Sequence, residues 1–282
     1  MEVKFNDVSY TYNRNTPLQT EALTNISVDL AKNKIHGIIG PSGSGKTTLI
    51  ELINALLFPN KGTIMVGNYN LKKYMKMKEI NKLRFEVGLV FQFPEEQFFN
   101  STVEKEIAFA MKYFKYKTNV ITKRITESLK LVGLDETYLK RNPFYLSNGE
   151  KRRVAIASIL VFNPRIIILD EPTVGLDNNG KQMLIKNIKL LRDRYGKTII
   201  ICSHDVDTLH QLVDNLVVLH KGSIICTGSK EEVFLQQELL NNYNIKLPRI
   251  VEFINKVNVK KERKLGNHTD INELIKDIYR NV

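Results

Sequence analysis

A chain of 282 residues has room for one large domain with an appendage, and its 43% hydrophobic content suffices for a substantial core. No apolar run approaches the about 18 residues that cross a bilayer, no signal peptide opens the chain, and two cysteines without CxxC spacing, Cys202 and Cys226, point to a reducing cytosol. The net charge of +12 is spread along the chain and reads as solvated faces, so no nucleic acid is expected as a partner, although a basic surface suits the anionic inner leaflet.

Residues 2–31 read as β-strands around a turn-rich stretch, Asn13 to Pro17. A β-rich run, Lys34–Ile39, leads into Gly40-Pro41-Ser42-Gly43-Ser44-Gly45-Lys46-Thr47, and a helical pattern follows from Thr47 to Leu57. The octet has the phosphate-cradling spacing GxxxxGK[ST]. Its glycines let successive N–H groups turn inward as an anion nest, which a β-carbon would obstruct. Lys46 supplies a point charge for β- and γ-phosphates, the Thr47 hydroxyl can ligate Mg²⁺, and a helix N-terminus faces the same spot. The segment therefore predicts nucleotide binding.

Thr63–Val66 and Val87–Gln92 read as further strands. From Pro94 to Phe162 the pattern turns helical, with helices predicted over Val103–Phe114, Ile121–Val132 and Lys151–Val161, the last opened by Leu146-Ser147-Asn148-Gly149-Glu150. Arg165-Ile-Ile-Ile-Leu-Asp170-Glu171 is an apolar run ending in two acids, as expected of a buried parallel strand reaching a ligand crevice. Asp170 suits Mg²⁺, directly or through water, and Glu171 suits a general base. Alone, an acid pair after a strand reads equally well as a helix cap; beside the loop at Gly40 the catalytic reading prevails. A helix over Lys181–Arg194, a strand over Thr198–Cys202 and a hairpin of Asn215–His220 and Ser223–Gly228 around Lys221-Gly222 follow. Beyond residue 230 the sheet signals stop. Helices are predicted over Glu231–Tyr243, Pro248–Val257 and Ile271–Tyr279, the last with Asp270 and Glu273 as a capping box after the basic stretch Lys260–Lys264.

Taken in order, Gly40–Thr48, Gln92, Leu146–Glu150, Asp170–Glu171, Asp177 and His204 resemble the motif set of ABC-transporter ATPases over the first 230 or so residues. The resemblance implies an α/β fold: a P-loop NTPase core with a mixed, largely parallel sheet and an antiparallel β subdomain, a helical insert at about 94–162, and a small helical extension at 231–282. It also implies a sandwich of two nucleotide-binding domains around two ATPs with Mg²⁺. In that arrangement Gly40–Thr48 hold the phosphates of one ATP, while Ser147 and Gly149 contact the γ-phosphate held by the other domain. Thr47, Gln92 and Asp170 would reach the metal, Gln92 would also reach the attacking water and touch a transmembrane partner, and His204 would contact the γ-phosphate. Asp177 would lie in the loop that crosses the interface, and Tyr12, in preference to Tyr10, would stack on adenine. The family's LSGGQ is LSNGE here. An unpaired Glu150 carboxylate near the partner's triphosphate would be repulsive by about 1 kcal/mol when well solvated.

The run Phe91-Gln-Phe-Pro-Glu-Glu-Gln-Phe98, the opening Thr16–Leu23 and a helical extension containing Leu247-Pro248 resemble the ATPases of energy-coupling factor transporters. Phe93-Pro94-Glu95 and Asp170–Asp177 are similar to the second of their two paralogues. This implies an ATP hydrolase coupled to vitamin or metal-ion uptake, peripheral on the cytoplasmic face of the cell membrane. Its partners would be a homologous ATPase (a heterodimer, with a homodimer as the alternative), a transmembrane coupling protein and a membrane-embedded substrate-binding subunit. Two other readings stay open: the ATPase of another ABC importer, and a non-transport ABC protein acting on DNA or ribosomes. The latter usually carries two nucleotide domains or long coiled-coil insertions, which this chain lacks. The 231–282 extension is expected to join the two ATPases, and a chain cut after residue 230 is expected to stay folded, because every phosphate and acid motif lies upstream.

Overall fold

The computed structural model describes residues 1–261, 265, 266, 268 and 271–280. Strands β1 (Val3–Tyr12) and β2 (Thr20–Leu30) form an antiparallel pair, and β3 (Ile35–Ile39) leads through the glycine-rich loop into α1 (Lys46–Ile53). Then come β4 (Lys61–Val66), β5 (Tyr69–Leu71), α2 (Met77–Glu86) and β6 (Val87–Val90). The helical insert holds α3 (Val103–Tyr113), α4 (Thr118–Leu131) and α5 (Asn148–Leu160). The chain returns through β7 (Ile166–Asp170), α6 (Asn178–Tyr195), β8 (Thr198–Cys202), α7 (Val206–Leu212), β9 (Asn215–His220) and β10 (Ser223–Ser229). It continues with α8 (Lys230–Leu235), α9 (Gln237–Asn242), α10 (Arg249–Lys261) and α11 (Ile271–Arg280).

Two sheets result. One is antiparallel, in the order β2-β1-β4-β5; the other runs β10-β9-β3-β8-β7-β6, parallel throughout except for the β10 edge. Side chains alternate across a strand, so β7 feeds two cores. Ile166 and Ile168 face the antiparallel sheet and α1, whereas Ile167 and Leu169 face the helices. From β3 the chain passes to the far edge at β6, walks back through β7 and β8, and crosses to β9 on the other side of β3. That reversal puts a crevice beyond the C-terminal end of β3, where α/β sheets hold ligands. The segments after β3, β6, β7 and β8 all open toward it.

Several boundaries differ from expectation for identifiable reasons. Helix α1 stops at Ile53 instead of Leu57. Asn54 donates its amide to the carbonyl of Val87 (2.7 Å), and Arg84 donates to the carbonyls of Asn54 and Ala55 (3.3 and 2.9 Å), capping the turn while Ala55 takes φ 54°. Helix α5 starts at Asn148, not Lys151, because Ser147 and Glu150 form a reciprocal capping box. The single helix expected over 231–243 is two, broken at Gln236 (ψ 56°). Asp270 of the expected final capping box, and Glu262–Lys264 of the basic stretch, lie outside the described residues.

The packing also bears on the boundary expected after residue 230. Val233, Phe234, Leu240 and Ile245 belong to the main helical-side core, with the Phe234 ring edge-on to His210. By contrast, α10 and α11 build a separate small cluster around Ile254, Leu265 and Leu274. A cut after residue 230 therefore runs through packed core, which argues against the expectation that such a chain stays folded, and contacts to the main core continue through Leu247 to Val251 on α10.

Candidate active site

The loop between β3 and α1 is shaped by close approach. A β-carbon on Gly40 would lie 2.2 Å from the Leu219 carbonyl oxygen, and one on Gly45 (φ 102°) would lie 2.7 Å from that of Ala22. No other residue fits. The loop is braced by the Ser44 N–H on the Pro41 carbonyl (3.2 Å) and by the Gly222 N–H, from the β9–β10 turn, on the Ser44 carbonyl (3.0 Å). Lys46 Nζ spans it, donating to the carbonyls of Gly40 (2.9 Å) and Pro41 (3.0 Å). Ser42 and Gly43 are exposed at the crest, whereas Ser44 is buried and its Oγ has no hydrogen-bond partner among the described residues. Helix α1 begins at Lys46 without a side-chain cap, which leaves its first N–H groups for an anion.

The acids sit beside this loop. Asp170 ends β7, and Thr47 Oγ1 donates to its Oδ2 at 3.4 Å. Burial, and after it the neighbouring Glu171 charge, push the Asp170 carboxyl above the usual range. An oxygen-only set of hydroxyl and carboxylate with excess negative charge suits a hard divalent cation. Glu171 Oε2 accepts from Ser203 Oγ (3.0 Å) and lies 2.9 Å from His204 Nδ1, although the His204 side chain is 70% exposed. Gln92 is exposed two residues past the end of β6, the strand beside β7. Tyr12 directs its hydroxyl to Thr48 Oγ1 (3.1 Å) and Glu51 Oε2 (3.4 Å) on α1, and Tyr10 packs edge-on against its ring.

A second group gathers elsewhere. Ser147, Gly149 and Asp177 line one cavity of about 370 Å³, together with apolar residues such as Leu176 and Met183. No residue of the glycine-rich loop is among its described lining. Asp177 caps α6 by accepting from the Gly180 N–H at 2.8 Å. Glu150 is not the free carboxylate the sequence suggested. Its Oε1 accepts from the Tyr138 hydroxyl (2.6 Å) and its Oε2 from both the N–H and the hydroxyl of Ser147 (2.8 Å each). These bonds, Tyr138 first, hold its carboxyl down to about 2. With the charge held by Tyr138 and its own helix start, little repulsion of a partner's phosphate is expected. Glu150→Gln is expected to change turnover at a partner's site by less than about threefold, within the range of a solvated charge contact. Site-resolved single-turnover assays check this, and a larger rise would restore the repulsion.

Sequence reasoning missed Ser203, whereas Ser44 was included with its loop, Gly40–Thr48. Ser203 could have been suspected as a hydroxyl beside His204 at a strand end; nothing marked Ser44 apart from its neighbours.

The central parallel sheet, the braced phosphate loop and the acids at the end of β7 define a P-loop nucleotide-binding cassette. The model of the ABC transporter family matches residues 23–174. The energy-coupling factor transporter ATP-binding protein EcfA2 of Mycoplasma capricolum is 41% identical over 257 residues, covering 91% of this chain and 89% of its own length. Among solved structures, cbiO1 of Clostridium perfringens, described as part of the ABC transporter complex cbiONQ, superposes with TM-score 0.76 at 35% identity over 90% of this chain and 98% of its own. The ATP-binding cassette MJ0796, solved as a dimer with ADP and Pi, gives TM-score 0.71 at 29% identity over 80% of this chain and 98% of its own. The chain belongs to the ABC transporter family, among the ATP-binding subunits of energy-coupling factor transporters.

Proposed function

We propose that this chain binds and hydrolyses ATP to energise an energy-coupling factor importer for vitamins or metal ions. The observation that carries the reading is the meeting of Thr47 and Asp170 beside the phosphate loop, with Glu171 next in the chain and held by Ser203 and His204. Lys46 and the loop N–H groups bind the β- and γ-phosphates, and Tyr12 stacks on adenine. Thr47, Asp170 and Gln92 would hold Mg²⁺, which when bound neutralises phosphate charge. Glu171 accepts the proton of the water attacking the γ-phosphate, while Lys46 and His204 stabilise the charge that develops.

The separation of the Ser147–Asp177 group from the phosphate loop supports a two-subunit sandwich, as does the dimer of MJ0796. The partner is a homologous ATPase. Among the described residues no helix is long and apolar enough to cross a membrane. Translocation, in this reading, belongs to a transmembrane coupling protein and its membrane-embedded substrate-binding subunit. The chain works peripherally on the cytoplasmic face. Phe99 (60% exposed) stacked edge-on with Phe109 at 4.7 Å, close after Gln92, offers such a subunit an apolar foothold.

The test is equilibrium ATP binding. Lys46→Ala is expected to weaken affinity at least about tenfold, the worth of one charge-assisted phosphate contact. Unchanged affinity would place ATP elsewhere.

A further inference from the structure

Arg152 lies on α5, within a Lys151-Arg152-Arg153 run that reads in sequence as solvated charge. It is buried, its side chain only 4% exposed. Nη1 donates to the carbonyls of Glu171 (3.2 Å) and Pro172 (3.1 Å), and Nη2 donates to Glu95 Oε1 at 3.2 Å. Glu95 stands on the 3₁₀ turn Pro94–Gln97 that begins two residues after Gln92. One guanidinium thus joins the helix that Ser147 opens, the segment after Gln92, and the backbone of the acid pair.

That backbone is in an uncommon state. Glu171 has φ 45°, a left-handed conformation that a non-glycine residue keeps only where its surroundings hold it. Its N–H donates to the Cys202 carbonyl at 2.8 Å, and Arg152 holds its carbonyl. The peptides on both sides of its Cα are therefore pinned, and with them the direction of the carboxylate. The ion pair is also half-made. Among the described residues Arg152 Nε and Glu95 Oε2 have no hydrogen-bond partner, although together they are the second prong of a guanidinium–carboxylate fork. A shift of the Glu95 turn that brought these two atoms together would satisfy both, and that turn follows directly on the segment that carries Gln92.

We propose that Arg152 is a positioning residue for hydrolysis: through the carbonyls of Glu171 and Pro172 it holds the backbone that aims Glu171, and through Glu95 it couples that aim to the Gln92 segment. The proposal rests on the reading of Glu171 as the base.

The experiment uses the full chain assembled with its partner ATPase, the partner's site silenced. Single-turnover hydrolysis and ATP affinity are measured for Arg152→Lys, Glu95→Gln, the double variant and Glu171→Gln. Lysine keeps the charge but cannot reach three acceptors, so Arg152→Lys lowers kcat at least about tenfold with KM within about twofold. Glu95→Gln keeps one acceptor oxygen and lowers kcat about threefold, and the double variant is no slower than Arg152→Lys alone, because both act through one contact. Unchanged kcat in Arg152→Lys, with Glu171→Gln inactive, overturns the proposal and leaves the base in place. Loss of kcat and affinity in parallel, with a lower Tm, makes the role structural and overturns it too. If Arg152→Lys does not fold, unchanged kcat in the partly exposed Glu95→Gln overturns the proposal and a selective loss supports it. Normal turnover in Glu171→Gln removes the reading beneath it.

Discussion

Glu171→Gln keeps ATP binding and slows hydrolysis by about 10²–10⁴-fold, the usual worth of a general base. Glutamine is nearly isosteric and still offers an oxygen to Ser203 Oγ, which now donates to Glu171 Oε2 at 3.0 Å, so the site keeps its shape and loses only its proton acceptor. Binding is expected to be spared because the proposed phosphate contacts belong to the loop that ends in Lys46 and Thr47. Parallel measurements of ATP affinity and single-turnover rate separate the two. Near-normal turnover would remove Glu171 from its role.

The second large effect concerns where the chain can be cut. Deleting residues 249–282 removes the small cluster around Ile254, Leu265 and Leu274, the Arg249–Asp207 contact, in which the Arg249 N–H donates to Asp207 Oδ1 at 2.7 Å, and from the main core only the partly buried Val251 at its margin. The nucleotide core is expected to melt close to its original temperature and to pair less well with the partner ATPase. Deleting residues 231–282 also strips Val233, Phe234, Leu240 and Ile245 from the main core. Loss of a large buried side chain costs about 2–5 kcal/mol. Four together rival the whole stability of a domain, about 5–15 kcal/mol. The longer deletion is therefore expected to give insoluble or molten protein, and circular dichroism melts of both truncations decide. A 231–282 deletion that melts like the full chain would show that α8 and α9 are dispensable.

What could be read from the sequence follows from how local the signal was. Strands β3, β7 and β8 are short, fully buried and largely apolar runs, and β3 leads into a glycine-rich phosphate pattern while β7 ends in an acid pair, so both the elements and, taken together, Gly40–Thr48, Asp170 and Glu171 stood out. Helix α2 did not, because only Ile80 and Leu83 of its ten residues are buried and the rest carry no periodic stripe. Arg152 was hidden for the opposite reason. Its neighbours in the chain are charges, and its partners Glu95 and Glu171 are 57 and 19 residues away. The bonding of Glu150 was not legible because its partner Tyr138 stands outside its own helix, 12 residues back in the chain.

The brace on the phosphate loop has a kinetic consequence. With the Gly222 N–H on the Ser44 carbonyl and Lys46 drawn across Gly40 and Pro41, the entropy of ordering the loop is lost when the chain folds and not when the nucleotide arrives. If this loop holds the phosphates as proposed, capture of ATP is expected to need no slow rearrangement of the backbone, so that its speed follows diffusion and the charge at the mouth of the crevice.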